Sequence, residues 1–275
     1  MHDEAQGSSP LYVVPPVQRA FLLLRYIAAG NRCQKIPQAV ADTGLNRTTL
    51  IRLLHTLVDE RALEKRADGY HLGIGLIGLA GDALFARDIV EHARPVLEKL
   101  AHDTQLSSHL GVLDGQEIVY LLKATPNVHL VSNVRVGKRL PSYATTIGRI
   151  LLSCLSAEEI RALLSGTAFE KYTDKTPPDI EHLVRQVHDD GVLGLAWSYS
   201  NFEMGLGSCA AAVFDRDGKP VAGINVTGHE SHFEANSPTR ARIGELVAES
   251  AKTLTAMLGG GGMATQKARK GNAHG

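Results

Sequence analysis

The sequence contains few cysteines, few aromatic side chains and no long apolar run. Its three cysteines, Cys33, Cys154 and Cys209, are odd in number and far apart, so they predict neither a disulfide framework nor a CxxC metal site. No stretch approaches the roughly 18 uninterrupted apolar residues of a membrane-spanning helix. The polar, acidic start also lacks the pattern of a signal peptide. We therefore expect a cytoplasmic protein with no membrane partner.

Motifs of enzyme chemistry are equally scarce. The chain has no GxSxG and no GxxxxGK motif, so nucleophilic and phosphoryl chemistry have no recognisable anchor. His229 and His232 lie three residues apart without a nearby cysteine or a third ligand, and we expect no metal there. These absences predict no cofactor and no enzymatic activity.

One glycine motif keeps an enzymatic alternative open. The sequence Gly73-Ile74-Gly75-Leu76-Ile77-Gly78 matches GxGxxG, so an NAD-binding oxidoreductase has to be considered. A dinucleotide site would need a second apolar strand with an acidic residue at its end, whereas this sequence continues into another helix. We interpret the glycines as helix-packing positions.

The net charge is zero, but the charges are unevenly distributed. Residues 11–75 contain nine Lys or Arg and five Asp or Glu, and residues 76–258 contain 17 and 22, respectively. A small basic region beside a larger acidic one favours nucleic-acid binding by the former, because local charge governs DNA affinity. The length of 275 residues, 44% of them hydrophobic, predicts two globular domains.

Residues 17–73 have the element order of a winged helix-turn-helix domain. The pattern predicts a helix over 17–29, a short helix from Pro37 to the Thr43-Gly44 turn, and a third helix whose N-cap is Asn46. Two strands over 63–66 and 70–72 then pair as a wing. The third helix should enter the major groove of an operator, with the wing on the phosphate backbone. The candidate DNA-binding residues are Asn46, Arg47, Thr48, Thr49, Arg52, His55, Lys65 and Arg66.

The rest of the chain predicts a flexible arm over 1–16, a linker helix over 74–87, an α+β domain with an antiparallel sheet over 88–258 and a disordered tail over 259–275. Within the α+β domain, Ser156 and Glu159 have the spacing of a capping box. Pro95 predicts a kink or a fresh helix start. The expected elements are helices over 88–104, 145–155, 179–190 and 236–258, strands over 107–113, 117–123, 128–134, 193–199, 208–214 and 221–226, and a loop over 137–143.

The span from Val17 to Leu258 resembles the IclR family of bacterial transcriptional regulators. The resemblance implies an N-terminal winged helix and a C-terminal effector-binding domain of the GAF-like type. The residues that carry it are Arg19-Ala20, Leu45-Asn46-Arg47-Thr48-Thr49, Arg52-Leu53-Leu54, Leu57, Tyr70-His71-Leu72-Gly73, Ala93-Arg94-Pro95-Val96-Leu97, Val136-Gly137-Lys138-Arg139-Leu140-Pro141, and Gly205-Leu206 before the run from Ala210 to Phe214.

A narrower similarity covers the segment from Leu140 to Arg149. It is similar to the branch that controls aromatic-acid catabolism, in which Tyr and Gly-Arg replace the commoner His and Gly-Lys. The chain departs from the family at Ser198 and Tyr199-Ser200, where many relatives carry acidic residues, and at Ser208, where some carry Cys. The resemblance implies effector-binding roles for Tyr143, Thr145, Thr146, Ile147, Gly148, Ser198, Ser208 and Cys209.

The sequence also predicts the chemical class of the effector and the oligomeric assembly. A hydroxyl-rich helix start at Thr145 favours an anion, so we expect a small carboxylate, with an aromatic acid as one class; a routine helix cap is the alternative. One winged helix covers few base pairs, so we expect a homodimer or a tetramer on double-stranded DNA. The small residues between Gly75 and Ala83 could pack between subunits or within the chain. A DNA-binding protein whose second domain only dimerises is the other reading.

Overall fold

A computed structural model describes residues 13–85, 88–126 and 134–260 of the chain, which divides into two compact units, residues 1–86 and 87–275. The helix that we predicted as a linker belongs to the first unit. Residues 1–12 of the expected arm, residues 128–133 of the strand expected over 128–134 and residues 261–275 of the tail expected over 259–275 lie outside the described residues. None of the helices in the described ranges has the length and apolar character needed to span a bilayer.

The first unit contains four helices and a two-stranded antiparallel hairpin within its described residues. In chain order its elements are α1 (Pro15–Ala28), α2 (Ile36–Thr43), α3 (Arg47–Asp59), β1 (Leu63–Arg66), β2 (Gly69–Leu72) and α4 (Gly75–Phe85). This is the helix-turn-helix and wing that the sequence predicts. One expectation was wrong: Pro15 and Pro16 form the first turn of α1 rather than the end of an arm, because that turn needs no amide donor.

A single apolar core holds the first unit together. Leu50, Leu54 and Leu57 recur at helical spacing on one side of α3, and they pack with Leu23 and Ile27 of α1. Burying each such side chain stabilises the fold by about 1.5–3 kcal/mol. Gly44, at a φ of 68°, ends α2 in the left-handed conformation that glycine adopts without strain. The leucine side of α3 therefore faces inward, and its polar side is left on the surface.

The second unit contains five helices and a six-stranded sheet within its described residues. Its elements are α5 (Asp88–Thr104), β3 (Ser107–Asp114), β4 (Glu117–Ala124), β5 (Arg139–Pro141), α6 (Thr146–Leu152), α7 (Ala157–Leu163), α8 (Ile180–Leu193), β6 (Ala196–Tyr199), β7 (Leu206–Phe214), β8 (Pro220–His229) and α9 (Arg240–Met257). All pairings are antiparallel, in the order β5-β4-β3-β8-β7-β6. The predicted α+β class with an antiparallel sheet is confirmed.

Helices cover both faces of this sheet. On one face, α6 lies directly over the strands, because Gly111 and Gly223 leave room for the Ile147 side chain; a Cβ on Gly223 would lie 2.9 Å from Ile147. On the opposite face, the Ser108 hydroxyl of β3 donates to the Leu97 carbonyl of α5. The start of α6 is thereby placed above the middle of the sheet.

Several predicted boundaries need correction. The expected loop over 137–143 contains β5, because Arg139 binds the side chains of Asp114 and Glu117 and draws the segment to the sheet edge. The helix expected to end at 190 continues to Leu193, since Gly191 packs against Ser153 and Gly194 provides the left-handed end. In addition, α6 ends at Leu152, β6 begins at Ala196, α9 begins at Arg240, and α5 runs through Pro95 without a fresh start.

Candidate nucleic-acid interface and ligand cavity

The outer side of α3 presents a row of polar side chains. Arg47, Thr48, Arg52 and His55 are exposed, as the periodicity predicts. No ion pair or side-chain hydrogen bond joins Arg47, Arg52 or His55 to a residue in the described part of the chain. A cation without an internal partner can meet an external anion such as a phosphate.

The first turn of α3 is fixed by its cap. The Asn46 side-chain oxygen accepts a hydrogen bond from the Thr49 amide at 2.8 Å, as expected for this residue type at an N-cap. That bond commits the Asn46 oxygen and the Thr49 amide to the fold. Thr49 itself is half-buried. Arg47 and Thr48 are therefore the better placed of the predicted residues at the helix tip.

The two predicted cations of the hairpin differ in whether they already form an ion pair. Lys65 is exposed and forms no ion pair among the described residues. Arg66 already contacts Glu64 at 2.9 Å, and this hydrogen bond lowers the pKa of the Glu64 carboxyl. Lys65 is thus free to lie along a phosphate backbone, whereas Arg66 would first have to exchange its partner.

Two glycines of the GxGxxG motif, Gly73 and Gly75, serve packing at the start of α4, whereas a Cβ on Gly78 would meet nothing within 4 Å. A Cβ on Gly73 or Gly75 would lie 2.3 or 2.7 Å from the Arg61 carbonyl oxygen. Their amides donate to the carbonyls of Ala62 and Arg61, respectively. Neither amide is available to a pyrophosphate, so the arrangement favours the packing interpretation over an NAD site.

A cavity in the second unit lies between the start of α6 and the sheet. The space that a water-sized molecule can occupy inside it is about 70 Å³, and all empty space up to and including its open mouth is about 570 Å³. Four of the predicted effector residues line it, namely Thr145, Thr146, Ser198 and Ser208. The remaining lining residues are Tyr120, Val134, Lys138, Leu140, Ala144, Phe202, Glu203, Leu206, Gly207, Asn225 and Thr227.

Polar side chains form a connected floor in this cavity. The Thr146 and Ser208 hydroxyls lie 2.9 Å apart, and the Asn225 amide nitrogen lies 3.2 Å from the Thr227 hydroxyl and 3.5 Å from that of Thr146. Ser208 and Thr227 pair across β7 and β8. Asn225 is only 4% exposed. Such a row in a buried sheet face leaves hydrogen-bonding capacity for a ligand.

A short segment after β6 covers one side of the cavity. The Asn201 side-chain oxygen accepts from the Ser198 hydroxyl at 3.0 Å, and the Asn201 amide donates to the Lys175 carbonyl at 2.9 Å. The Thr173 hydroxyl holds the Ser200 carbonyl at 2.6 Å. Because its only hydrogen is used in this way, the Ser198 hydroxyl faces a ligand as an acceptor.

The other four predicted effector residues lie away from the cavity wall. The Tyr143 hydroxyl accepts from the Glu170 amide at 2.8 Å, so the ring packs in the neighbouring core. Ile147 fills the space over the sheet glycines, and a Cβ on Gly148 would lie 2.0 Å from the Ser142 carbonyl oxygen. Alternate residues of β7 point to opposite faces of the sheet, so Cys209 lies on the face opposite Ser208. It is fully buried there, and desolvation raises the pKa of its thiol.

The predicted anion site at the helix start also changes. The helix α6 has only seven residues, and the Thr145 hydroxyl already accepts from the Gly148 amide at 3.1 Å. A routine cap therefore accounts for Thr145, as the alternative reading held. The donors that remain for an anion are the side chains of the floor.

Sequence reasoning missed Asn225 and Thr227. Both lie in a strand that is otherwise apolar, two residues apart, and hence on one face. That spacing was a usable signal for a polar site. Lys138 and Glu203 were missed as well, and they are the charged residues of the described lining.

A buried ion pair fixes the position of α6, which carries Thr146 of the cavity. Arg149 is 1% exposed; its Nε donates to Asp190 at 2.8 Å and its Nη2 to the Trp197 carbonyl at 2.5 Å. These bonds tie α6 to α8 and to the strand that carries Ser198. Burial raises the pKa of the Asp190 carboxyl, and the neighbouring Arg149 charge opposes that shift.

Metal ligands are not gathered at either site. In the ranges that the structure covers, no group of three His, Cys, Asp or Glu side chains is close enough together to hold a metal ion. His229 instead contacts the Ser231 hydroxyl at 2.8 Å.

Family models identify both units. Residues 16–67 match the IclR helix-turn-helix domain, and residues 81–256 match the C-terminal domain of bacterial IclR transcriptional regulators. The chain belongs to the IclR family. The match to the C-terminal domain covers more than half of the chain, so this IclR protein is a transcriptional regulator by family.

Individual relatives agree with the family models. The HTH-type transcriptional regulator XynR of Escherichia coli is 28% identical over 217 residues, which cover 78% of this chain and 86% of XynR. An IclR regulator from Alicyclobacillus acidocaldarius has a TM-score of 0.77 at 26% identity, covering 90% of this chain and 100% of that one. An IclR homologue from Microbacterium hydrocarbonoxydans, solved in complex with 4-hydroxybenzoate, has a TM-score of 0.76 at 21% identity, covering 88% and 98%.

Proposed function

We propose that this IclR-family regulator binds an operator through α3 and the β1–β2 hairpin, and that a small carboxylate in the cavity of the second unit modulates that binding. The carrying observation is the row of polar side chains along the cavity floor, in which Thr146 and Asn225 are buried and Ser208 and Thr227 are half-buried. Such a row costs stability unless it is hydrogen-bonded. A bound ligand that completes it would recover that cost.

The proposed DNA contacts divide by chemistry. Arg52, with Thr48 and His55 beside it, lies on the exposed side that would face base edges, and Arg47 and Lys65 lie where phosphates would pass. Asn46 caps the start of α3. Arg66 would contact the DNA only after its ion pair with Glu64 breaks. The excess of Lys and Arg over Asp and Glu in residues 11–75 supports this assignment, since phosphate neutralisation supplies much of DNA affinity.

The proposed effector is a carboxylate, with an aromatic acid as the favoured class. Hydroxyl and amide donors of the floor suit carboxylate oxygens, and Tyr120 and Phe202 give the cavity two aromatic walls. The exposed Lys138 adds a positive charge to the lining, and the exposed Glu203 adds a negative one. The Microbacterium homologue bound to 4-hydroxybenzoate makes that acid the first compound to assay.

Apolar residues on the first unit support a homodimer. Val17 and Phe21 of α1 are exposed and continue the exposed Val14 at its N-cap at helical spacing, and Ile77 and Leu79 of α4 are about 70% exposed. Exposed apolar stripes of this kind mark association surfaces. A two-fold dimer would present two α3 helices to a repeated operator, and a tetramer would double that arrangement. Sedimentation equilibrium of the full chain distinguishes the two.

The effector can regulate only by unequal binding. A ligand shifts DNA affinity if it binds the DNA-competent arrangement of the dimer more or less tightly than another arrangement. Footprinting of the region upstream of the protein's own gene, with and without 4-hydroxybenzoate, benzoate and pyruvate, tests this directly. Protection that no acid alters would leave a DNA-binding protein whose second unit serves only in assembly.

Filling the cavity separates the two activities. Thr146→Phe places a ring beside Ser208 and Asn225, so we expect calorimetry to lose the heat of acid binding while gel shifts keep operator affinity within about twofold. Ser153→Ala, later in the same α6 segment, is the matched control and should retain uptake. Undiminished acid binding by the Thr146→Phe chain would remove the cavity assignment.

A further inference from the structure

Two buried polar atoms beside the cavity floor have no hydrogen-bond partner in the described part of the chain. They are the Ser107 hydroxyl oxygen and the Nε2 atom of His109. His109 is 1% exposed and lies on β3, where its cross-strand partners are Lys123 of β4 and Asn225 of β8. Asn225 lines the cavity, so His109 lies immediately behind its floor.

We propose that His109 determines the ligand specificity of the cavity by fixing the orientation of the Asn225 amide. The floor then presents hydrogen-bond donors, and it selects a carboxylate over an uncharged group of the same shape, such as a primary amide. His109 acts as a positioning residue that need not touch the ligand. The inference rests on the proposed function, because it assumes an effector in this cavity.

The hydrogen-bond pattern sets the tautomer of His109. Its Nδ1 lies 2.9 Å from the Asn225 side-chain oxygen, which can only accept, so Nδ1 carries the proton. Burial lowers the pKa of His109 to about 4, and the ring is therefore neutral near pH 7. Nε2 is then an acceptor without a partner.

The opposite orientation is less favourable. If the Asn225 amide were rotated, its nitrogen would donate to Nδ1, and the proton of His109 would move to Nε2. A buried N–H would then lack an acceptor, which is rarer in proteins than an unpaired acceptor.

The orientation of the Asn225 amide sets the direction of the hydrogen bonds in the cavity floor. With its oxygen held by His109, Asn225 directs its nitrogen to the Thr227 hydroxyl at 3.2 Å and more weakly to that of Thr146 at 3.5 Å. A hydroxyl that accepts in this way keeps its own hydrogen for another partner. The Thr227 hydroxyl can thus donate to a ligand, and the Thr146–Ser208 pair retains one hydrogen beyond their mutual bond. Carboxylate oxygens match these donors, whereas the N–H groups of an amide oppose them.

Affinity ratios test the inference. Calorimetry on the full chain measures an acid and its amide, using 4-hydroxybenzoate and 4-hydroxybenzamide, or the benzoate or pyruvate pair if that acid binds instead. In the wild-type chain we expect the acid to bind more tightly. His109→Leu frees Asn225 to rotate, and the acid-to-amide ratio should fall at least about tenfold, the scale of a hydrogen bond to a charged group.

A neighbouring variant controls for loss of stability. Ser108→Ala removes the buried hydrogen bond to Leu97 on the opposite face of the same strand. It should lower the melting temperature but leave the acid-to-amide ratio unchanged. A His109→Leu chain that is folded and keeps the wild-type ratio would refute the inference.

The tautomer is measurable without any ligand. Nitrogen-15 spectra of histidine-labelled protein near pH 7 should show His109 protonated at Nδ1, assigned by the loss of its signals in His109→Leu. A proton on Nε2 overturns the inference alone, even if acids bind. If the wild-type chain takes up none of the three acids, the effector proposal fails, and the inference fails with it.

Discussion

Arg52 and Arg149 illustrate how the two units use the same residue type differently. Arg52 lies on the exposed side of α3 and forms no ion pair within the described chain. Arg149 is buried in α6 and is held by Asp190 and the Trp197 carbonyl. A cation matched inside the chain stabilises the fold, whereas an unmatched one on the surface is available to an external anion. The contrast predicts which substitutions cost stability and which cost binding.

The largest effect should come from breaking the buried pair. Arg149→Met leaves Asp190 buried without its partner, so we expect the second unit to lose about 3–5 kcal/mol of unfolding free energy. Fluorescence of Trp197, the single tryptophan, follows this transition during denaturation. Arg52→Met is the matched variant and should lose less than about 0.5 kcal/mol. Equal losses in the two variants would erase the contrast.

The pH dependence of stability gives the next effect. The pKa of His109 is lowered by burial to about 4 in the folded chain, from about 6.5 for an exposed histidine, so the unfolded chain binds the proton more readily between these values. The free energy of unfolding should therefore fall on acidification from about pH 6.5 to 4, by up to about 1.4 kcal/mol per pH unit.

Denaturation of wild type and His109→Leu at several pH values isolates this contribution. The variant should lose the part of the slope that belongs to His109, while the other histidines contribute equally to both chains. Parallel pH profiles would show that His109 is not buried in its neutral form.

Operator affinity tests the role of the exposed arginine, Arg52. Arg52→Ala should weaken operator binding by about 1–3 kcal/mol if the side chain reads a base edge, with little change in stability. Gel shifts at two salt concentrations distinguish base reading from phosphate contact, since a lost phosphate contact lowers the salt slope by about one. Arg185→Ala, an exposed arginine of α8, is the control. Unchanged affinity in the Arg52→Ala chain would show that α3 does not contact the operator.

The smallest effect concerns the cap of α3. Asn46→Ala removes the acceptor of the Thr49 amide, and we expect a loss of about 1 kcal/mol. Hydrogen exchange of the α3 amides should accelerate accordingly, while Asn46→Asp keeps the wild-type rates. Faster exchange throughout both units would indicate a general rather than a local effect.

The first unit could be predicted closely because its signals are local. Asn46, Gly44 and the Ala67-Asp68 turn act within a few residues of their own position, and leucine spacing alone decides which side of α3 is buried. The capping box at Ser156 was predicted for the same reason. The start of α1 was misjudged only because a proline pair can end an arm or open a helix.

The cavity was half predicted because it depends on pairings between distant strands. Thr146 meets Ser208 and Asn225 across 62 and 79 residues of sequence, and no local pattern fixes that register. Tyr143 and Gly148 belong to the segment that carries the narrower family resemblance, yet their positions are explained by contacts with Glu170 and Ser142. A motif indicates the segment, and strand register decides which of its side chains reach the cavity.

The glycines before α4 have a mechanical consequence. Gly73 and Gly75 fit against the Arg61 carbonyl with no space for a side chain, and the Ile74 amide reaches the Glu64 carboxylate at 3.3 Å. These contacts hold the wing and the beginning of α4 together, so a rotation of the first turn of α4 would carry the wing with it.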